Sequence, residues 1–173
     1  MISDSELKIE IIELPKDVRR FNLVAAFFQL RKQVFVDRMS WPLHHSEGIE
    51  FEQYDTFDTA YVIAHRNGEV VGGARLKRTD KIHGDGKVVY SYMIRDAHLG
   101  LLPGMPENLC SAPPPVDPES WELTRFTSLP IDGLAAGILE CANDYLYVLG
   151  ASRCLFLGPP AFLRMANRLG WEP

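Results

Sequence analysis

Thr59–His65 reads TAYVIAH, Glu69–Lys77 reads EVVGGARLK, and only Arg66-Asn67-Gly68 lies between them. Asn-Gly between two strand-like runs is a strong hairpin signal, because a two-residue turn needs positive φ at both positions. This pair of strands fixes a sheet, and the rest of the chain is read by what it adds to either side. Towards the N-terminus, Lys8–Leu14 (KIEIIEL) alternates polar and apolar residues, as a half-buried strand does. Val24, Phe27, Phe28, Arg31 and Phe35 recur at three-and-four spacing, which predicts a helix from about Leu23 to Arg38. Met39–Phe57 is polar and aromatic without periodicity, too long for a simple connector and therefore functional or mobile.

Towards the C-terminus, Lys87–Leu102 predicts a strand turn and then a short helix. Pro103–Pro118 carries six prolines and must be a loop. Ser120–Thr127 (SWELTRFT) predicts a strand, and Asp132 an N-cap for a helix to about Leu149. Ser152–Leu157 predicts a short buried strand. Pro159–Leu169 predicts a helix whose first turn suits proline, since an N–H there would have no partner within the helix. The order predicts an α/β fold with one mixed sheet and helices on both faces. No repeat or low-complexity linker divides the chain, so one domain is expected over residues 1–173.

The chain has 173 residues, of which 46% are hydrophobic and 24% charged, the range of a globular domain with a real core. A net charge of −5 argues against non-specific nucleic-acid binding, which needs a basic field. No apolar run is long enough for a transmembrane helix, and the first residues have neither the basic nor the apolar region of a signal peptide. No membrane partner and a cytoplasmic location are therefore expected. Cys110, Cys141 and Cys154 are odd in number and far apart, which fits a reducing compartment. Neither they nor the five histidines show metal-ligand spacing, so no metal is expected.

Four features break this ordinary pattern. Arg31 lies in the apolar stripe of its helix, where a guanidinium must either snorkel to the edge or meet a carboxylate. Glu47, Glu50, Glu52, Asp55 and Asp58 crowd a segment that also holds Trp41, Phe51, Tyr54 and Phe57. That is a solvated acidic loop, or a site for a permanent cation such as a sulfonium. Gly72 and Gly73 interrupt a strand, marking a bulge or the close approach of a ligand or another backbone. By strand parity Arg75 should share a face with Gly73 and Val71. Glu122 and Arg125 have opposite parity, which in a regular strand points them to opposite faces. Lys81–Gly86 imitates a pyrophosphate loop, but the extended run after it makes a polar turn the better reading.

Taken together these residues resemble the LuxI-type acyl-homoserine-lactone synthases. Arg31, Phe35 and Trp41 match that family's Arg, Phe and Trp at the same separations. Glu50-Phe51-Glu52-Gln53-Tyr54-Asp55 matches an acidic E-x-D-x-x-D segment, with Glu52 where the family has Asp. Gly72-Gly73-Ala74-Arg75-Leu76 and Thr79 match a G-x-x-R-L strand ending in Thr. Glu122-Leu123-Thr124-Arg125-Phe126 matches E-L-[ST]-R-F. Each motif alone is weak, but all four in order are specific. A family phenylalanine after the G-x-x-R-L strand has no counterpart here, and Tyr90 or Tyr92 is the candidate replacement. Family members also continue into further strand where this chain stops at Pro173, so either this is a short member or C-terminal strands are missing.

The resemblance implies a GNAT-like fold with a splayed sheet, in which Gly72 and Gly73 lie on the strand beside the acyl-phosphopantetheine arm. It implies transfer of an acyl group to the amine of S-adenosylmethionine. Lactonisation by the methionine carboxylate then releases methylthioadenosine. The donor is acyl carrier protein or acyl-CoA; both reactants are substrates, and no cofactor is implied. Phe35 and Trp41 would hold the sulfonium, and Glu52 and Asp55 the amine or added negative charge. Glu122 would be the general base, and strand N–H groups near Gly73 would bind the oxyanion. Arg31 and Arg125 would orient acids and aromatics of the mobile segment or the substrate carboxylate, and Arg75 would bind substrate. Two alternatives stay open: a generic GNAT N-acyltransferase, and a non-catalytic relative that binds an acyl carrier.

Overall fold

A computed structural model describes residues 6–86, 88–106 and 108–170. Along the chain come β1 (Lys8–Glu13), a 3-10 turn at Val18–Arg20, α1 (Phe21–Arg31), a π-helical stretch at Lys32–Arg38, and the short strands β2 (His45–Ser46) and β3 (Ile49–Glu50). Then follow β4 (Ala60–Arg66), β5 (Glu69–Arg78), β6 (His83–Asp85), β7 (Val88–Tyr90), α2 (Met93–His98), β8 (Ser120–Ser128), α3 (Leu134–Val148), β9 (Arg153–Phe156) and α4 (Pro160–Arg168). The Asn-Gly turn forms as read, with φ of 49° at Asn67 and 89° at Gly68. Five strands make one sheet in the order β1-β4-β5-β8-β9, antiparallel except at the β8–β9 junction. β2–β3 and β6–β7 are separate two-stranded ribbons.

Both faces of the sheet are covered, so β4 is apolar and buried from Ala60 to Ala64 without alternation, whereas β5 buries Arg75 and Lys77 and β8 buries Glu122 and Arg125. Tyr61 and Ile63 of β4 pack with Ile12 against Val24, Phe27 and Phe28 of α1. Val62 and Ala64 face the other way, with Leu76 and Leu123, against Leu134, Ile138, Leu139 and Ala142 of α3. Ile12, Val24 and Phe27 have no exposed surface, and burial of each such side chain contributes roughly 1.5–3 kcal/mol. α4 lies on the α3 side, where Phe162 meets Phe126 and Phe156 edge to face. β8 pairs with β9 only from Ser120 to Leu123, yet runs on to Ser128. The two strands part there, and among the described residues no strand lies beside 124–128 on that edge.

Several boundaries differ from expectation for local reasons. The helix expected to Arg38 is α-helical only to Arg31 and then widens into π turns, with the N–H of Met39 bonding the carbonyl of Val34 and that of Trp41 the carbonyl of Phe35. Gly133, at φ 75°, stands at the start of α3 instead of Asp132, and no side chain caps it. β9 is half-buried, not buried, because it is the edge of the sheet. The polar turn expected at residues 81–86 forms the first strand of the β6–β7 ribbon and its Gly86 turn. Lys87, where the next extended run was expected to begin, lies outside the described residues. No helix among the described residues is long and apolar enough to cross a membrane.

Two bulges set which side chains face α1. Ala64 pairs with Gly72 but His65 pairs with Val70, so Val71 is an extra residue. It turns into the α3-side core, while Gly73 faces Phe27 of α1. Val71 and Gly73 therefore do not share a face, contrary to simple parity. On β8, Gly73 pairs with Thr127 and Arg75 with Thr124, so Arg125 and Phe126 together oppose Ala74. Arg125 takes a left-handed backbone, φ 54°, to make this fit.

Candidate active site

The segment between β3 and β4 lays its acids over the α1-facing side of the sheet, where they meet three arginines from three different elements. Arg31, fully buried, donates from Nη1 and Nη2 to the two oxygens of Asp55 at 2.8 and 2.9 Å, and from Nε to Glu50. Arg75, also fully buried, reaches Glu52 at 2.7 Å, Asp55 at 3.3 Å and the hydroxyl of Thr124 at 3.1 Å. Arg125 reaches Glu52 at 2.7 Å and Glu50 at 3.2 Å. Each carboxylate thus bridges two guanidinium groups, and three positive charges balance three negative ones. Balance of this kind is what makes burial tolerable, since one unpaired charge here would cost several kcal/mol. Burial alone would raise the Asp55 carboxyl, but Arg75 and Arg31 outweigh it and hold the group well below the usual carboxylate range. The Tyr61 hydroxyl donates to Asp55 at 2.9 Å. Burial and the same carboxylate push that phenol up.

Arg31 therefore neither snorkels nor stands alone. Its acidic partners, Glu50 and Asp55, were within the crowded segment, but only Asp55 was singled out from the motif together with Glu52. Glu50 is fully buried and bridges Arg31 to Arg125. Its alternation with Glu52 across one intervening aromatic was the available signal.

The β8 bulge overturns the parity reading of Glu122 and Arg125. Glu122 pairs across the ladder with Lys77, and Thr124 with Arg75, on the site face. The extra residue then returns Arg125 to that same face. The two side chains do not pair but converge on α2. Glu122 accepts the backbone N–H of Ile94 at 2.6 Å and of Met93 at 3.2 Å, and Arg125 lies 3.6 Å from the Met93 sulfur. Glu122 is fully buried, and burial is the main reason its carboxyl is pushed up to about 7. Glu52 adds to that rise, while Arg75 and the two N–H groups oppose it. A buried carboxyl that titrates near neutrality, with backbone donors fixing its orientation, can accept a proton at working pH.

The aromatic pair is also assembled. Phe35 and Trp41 stack with ring centroids 5.1 Å apart and planes 13° apart. Phe35 is buried and has the Arg125 guanidinium 5.9 Å from its centroid, while Trp41 is 42% exposed. The π turns between them bring the two rings into register. Gly72 and Gly73 have causes within the protein: a Cβ on Gly73 would lie 2.5 Å from the Val62 carbonyl and 2.8 Å from the Phe27 ring, and one on Gly72 2.8 Å from Ile138. Tyr92 is fully buried and donates to the carbonyl of Pro115 at 2.7 Å, whereas Tyr90 is exposed.

A second buried polar group was not read from the sequence. Lys77 has no exposed surface and holds Thr56 at 2.7 Å, Asp58 at 3.0 Å and the His83 ring at 3.3 Å. Its place at the same parity as Arg75 was the signal. Among the described residues no group of three His, Cys, Asp or Glu side chains is arranged to hold a metal ion.

The sequence profile of the autoinducer synthase family matches residues 16–105. An acyl-homoserine-lactone synthase from Ralstonia solanacearum is 32% identical over 161 residues, spanning 84% of this chain and 70% of that protein. Among solved structures, TofI in a ternary complex with an inhibitor and MTA is 26% identical, with a TM-score of 0.69 over 93% of this chain and 77% of its own. An acyl-CoA N-acyltransferase from Pseudomonas aeruginosa, 16% identical, shares the fold alone, with a TM-score of 0.54 over 95% of this chain and 82% of its own.

Proposed function

Because this chain belongs to the autoinducer synthase family, we propose that the face built from Arg31, Arg75, Arg125, Glu122 and the acidic segment carries out acyl-homoserine-lactone synthesis. The chain is an acyltransferase with a GNAT-like fold, and S-adenosylmethionine is the acceptor of the acyl group. The observation that carries the mechanism is Glu122: a buried carboxyl pushed up to about 7, oriented by two backbone N–H groups on the face where the charged cluster sits.

The amine of S-adenosylmethionine must lose a proton to attack a thioester. Glu122 takes that proton so that the free amine bonds to the acyl carbon, and as the carbon–sulfur bond breaks the second nitrogen proton goes to the departing sulfur, which leaves as a thiol. The methionine carboxylate then attacks its own γ-carbon, the carbon–sulfur bond breaks, and methylthioadenosine departs with the sulfur. No covalent enzyme intermediate is required. The exposed face of Trp41, backed by Phe35, suits the sulfonium. Glu52, with its side chain 12% exposed at the rim of the cluster, is the acid nearest to hand for the amine. Both acids have each oxygen engaged by arginine, but Asp55 is fully buried and acts through the fold of the cluster.

The acyl arm is assigned to the β9-side edge of β8 beyond Leu123, one strand across from Gly72 and Gly73, which pair with Ser128 and Thr127 on the other edge. The donor is an acyl thioester on a polyanionic carrier, either acyl carrier protein or coenzyme A. Supporting this, Arg153, Arg164 and Arg168 are exposed on β9 and α4, and the sequence from Tyr145 to Gly170 contains no acidic residue.

The test is a panel of acyl-carrier and acyl-CoA donors with S-adenosylmethionine, read by mass spectrometry. Methylthioadenosine and an acyl-homoserine lactone should appear in equal amounts with at least one donor. Acylation of other amines without methylthioadenosine release would make the chain a generic N-acyltransferase instead.

A further inference from the structure

Lys77 stands directly across the β5–β8 ladder from Glu122, and neither residue has exposed surface. Side chains opposite one another in an antiparallel pair lie close enough for charge on one to act on the other. The groups facing Glu122 are few. β5 supplies Arg75 and Lys77, the acidic segment Glu52, the turn before α2 Tyr92, α2 the N–H groups of Met93 and Ile94, and β9 Cys154. Of the two cations, Arg75 is already matched by Glu52 and Asp55.

Lys77 is fixed in place from its far end. Its ammonium donates to Thr56 at 2.7 Å and Asp58 at 3.0 Å and touches the His83 ring at 3.3 Å, while His83 also lies 3.0 Å from both oxygens of Asp58. Thr56 and Asp58 come from the segment before β4, and His83 comes from β6, so two elements close around one ammonium. Asp58 is partly exposed and its carboxyl sits below the ordinary range: burial opposes this, but the Thr56 and Lys77 hydrogen bonds outweigh it.

We propose that Lys77 is a positioning residue for Glu122: its ammonium, held by Asp58, Thr56 and His83, supports the charged form of the carboxylate from the neighbouring strand. Asp58 and His83 thereby tune the base without touching the substrate cluster. The catalytic half of this inference rests on Glu122 as the base; the electrostatic half does not.

Two measurements on the full chain separate those halves. The Glu122 carboxyl carbon is titrated by 13C NMR with labelled glutamate, its signal assigned through Glu122→Gln. The pH profile of kcat is recorded with the donor that the wild type turns over fastest. Lys77→Met should move the Glu122 midpoint and the acidic limb of kcat upward by on the order of one pH unit, the effect of removing a charge on the neighbouring strand in a partly screened interior. Asp58→Asn, which keeps its shape and leaves Lys77 less neutralised, should move both downward. Lys77→Arg should stay near the wild type. Opposite shifts are what a merely structural role cannot give. If Lys77→Met fails to fold, the downward shift in Asp58→Asn decides alone. An NMR midpoint unmoved, or moved the same way by both variants, overturns the proposal. An NMR midpoint that shifts as expected while the kcat limb persists in Glu122→Gln upholds the electrostatic half and overturns Glu122 as base.

Discussion

The carboxylate of Glu122 lies 2.6 Å from the backbone nitrogen of Ile94, so a side chain on a central strand closes the first turn of a helix 28 residues away in sequence. α2 has no capping side chain of its own, and this contact supplies one. The same carboxylate is therefore asked both to hold α2 and to accept a proton.

Glu122→Gln separates the two tasks. The amide oxygen still accepts an N–H, so affinity for S-adenosylmethionine should change little. It cannot take a proton, and loss of a general base typically costs ~10²–10⁴-fold in rate. Steady-state turnover and calorimetric binding measured side by side test this. Part of the lost rate should return at high pH, where solvent can deprotonate the amine. Near-normal turnover at neutral pH would remove Glu122 from the base role.

Stability should carry the mark of the same carboxyl. Its midpoint is about 7 when folded against an ordinary value of 4.5, so the folded state binds the extra proton between those limits. That contribution is complete below about pH 4.5 and is lost as pH rises towards 7. Asp55 acts oppositely: its folded value is depressed, so its contribution is present above the ordinary carboxylate range and is lost as pH falls. Urea unfolding of the wild type across pH 5 to 7 should show stability falling relative to Glu122→Gln. Parallel curves would mean that the carboxyl is not perturbed.

Arg31→Ala should destabilise the fold by about 3–5 kcal/mol, because it leaves Glu50 and Asp55 short of a partner inside the protein. Arg153→Ala, at an exposed position, should stay within about 0.5 kcal/mol. Denaturant midpoints compare the two. Equal effects would show that the buried network stores little.

The glycines give a steric contrast. Gly73→Ala drives a methyl into the Val62 carbonyl and the Phe27 ring, so a loss of about 1–3 kcal/mol is expected. Gly72→Ala meets the flexible tip of Ile138 at 2.8 Å and the Thr127 carbonyl only at 3.0 Å, against 2.5 Å for the Val62 carbonyl at Gly73, and should cost less. Thermal melts of both variants give the order, and a reversed order would contradict the packing.

Much of the architecture was legible because its signals are local. Asn67-Gly68 named its own turn, and the spacing of Val24, Phe27 and Phe28 named the buried face of α1. What escaped depends on long-range fit. The bulges at Val71 and Arg125 come from matching strands of unequal length, and nothing in E-L-T-R-F says that Arg125 must bend its backbone to φ 54°. For the site, the motif gathered Arg31, Glu52, Asp55, Arg75, Glu122 and Arg125 before any coordinates. Glu50 stood in the motif without a role and Lys77 lay outside it; the importance of both lies in burial that a linear string does not display.

The charged cluster has a consequence for the order of assembly. Arg31 is 19 residues from Glu50 and 24 from Asp55, whereas Arg125 is 75 from Glu50 and 73 from Glu52. Closing a longer loop costs more chain entropy, so the nearer contacts form on the way to the native state and Arg125 arrives with β8. Until then, Glu50 and Glu52 keep water on the side that β8 will cover. Docking of that strand must expel this water and complete the charge balance in one event. Interactions completed so late act mainly on the rate of unfolding, which makes Arg125 a determinant of how long the folded protein lasts as well as of what it does.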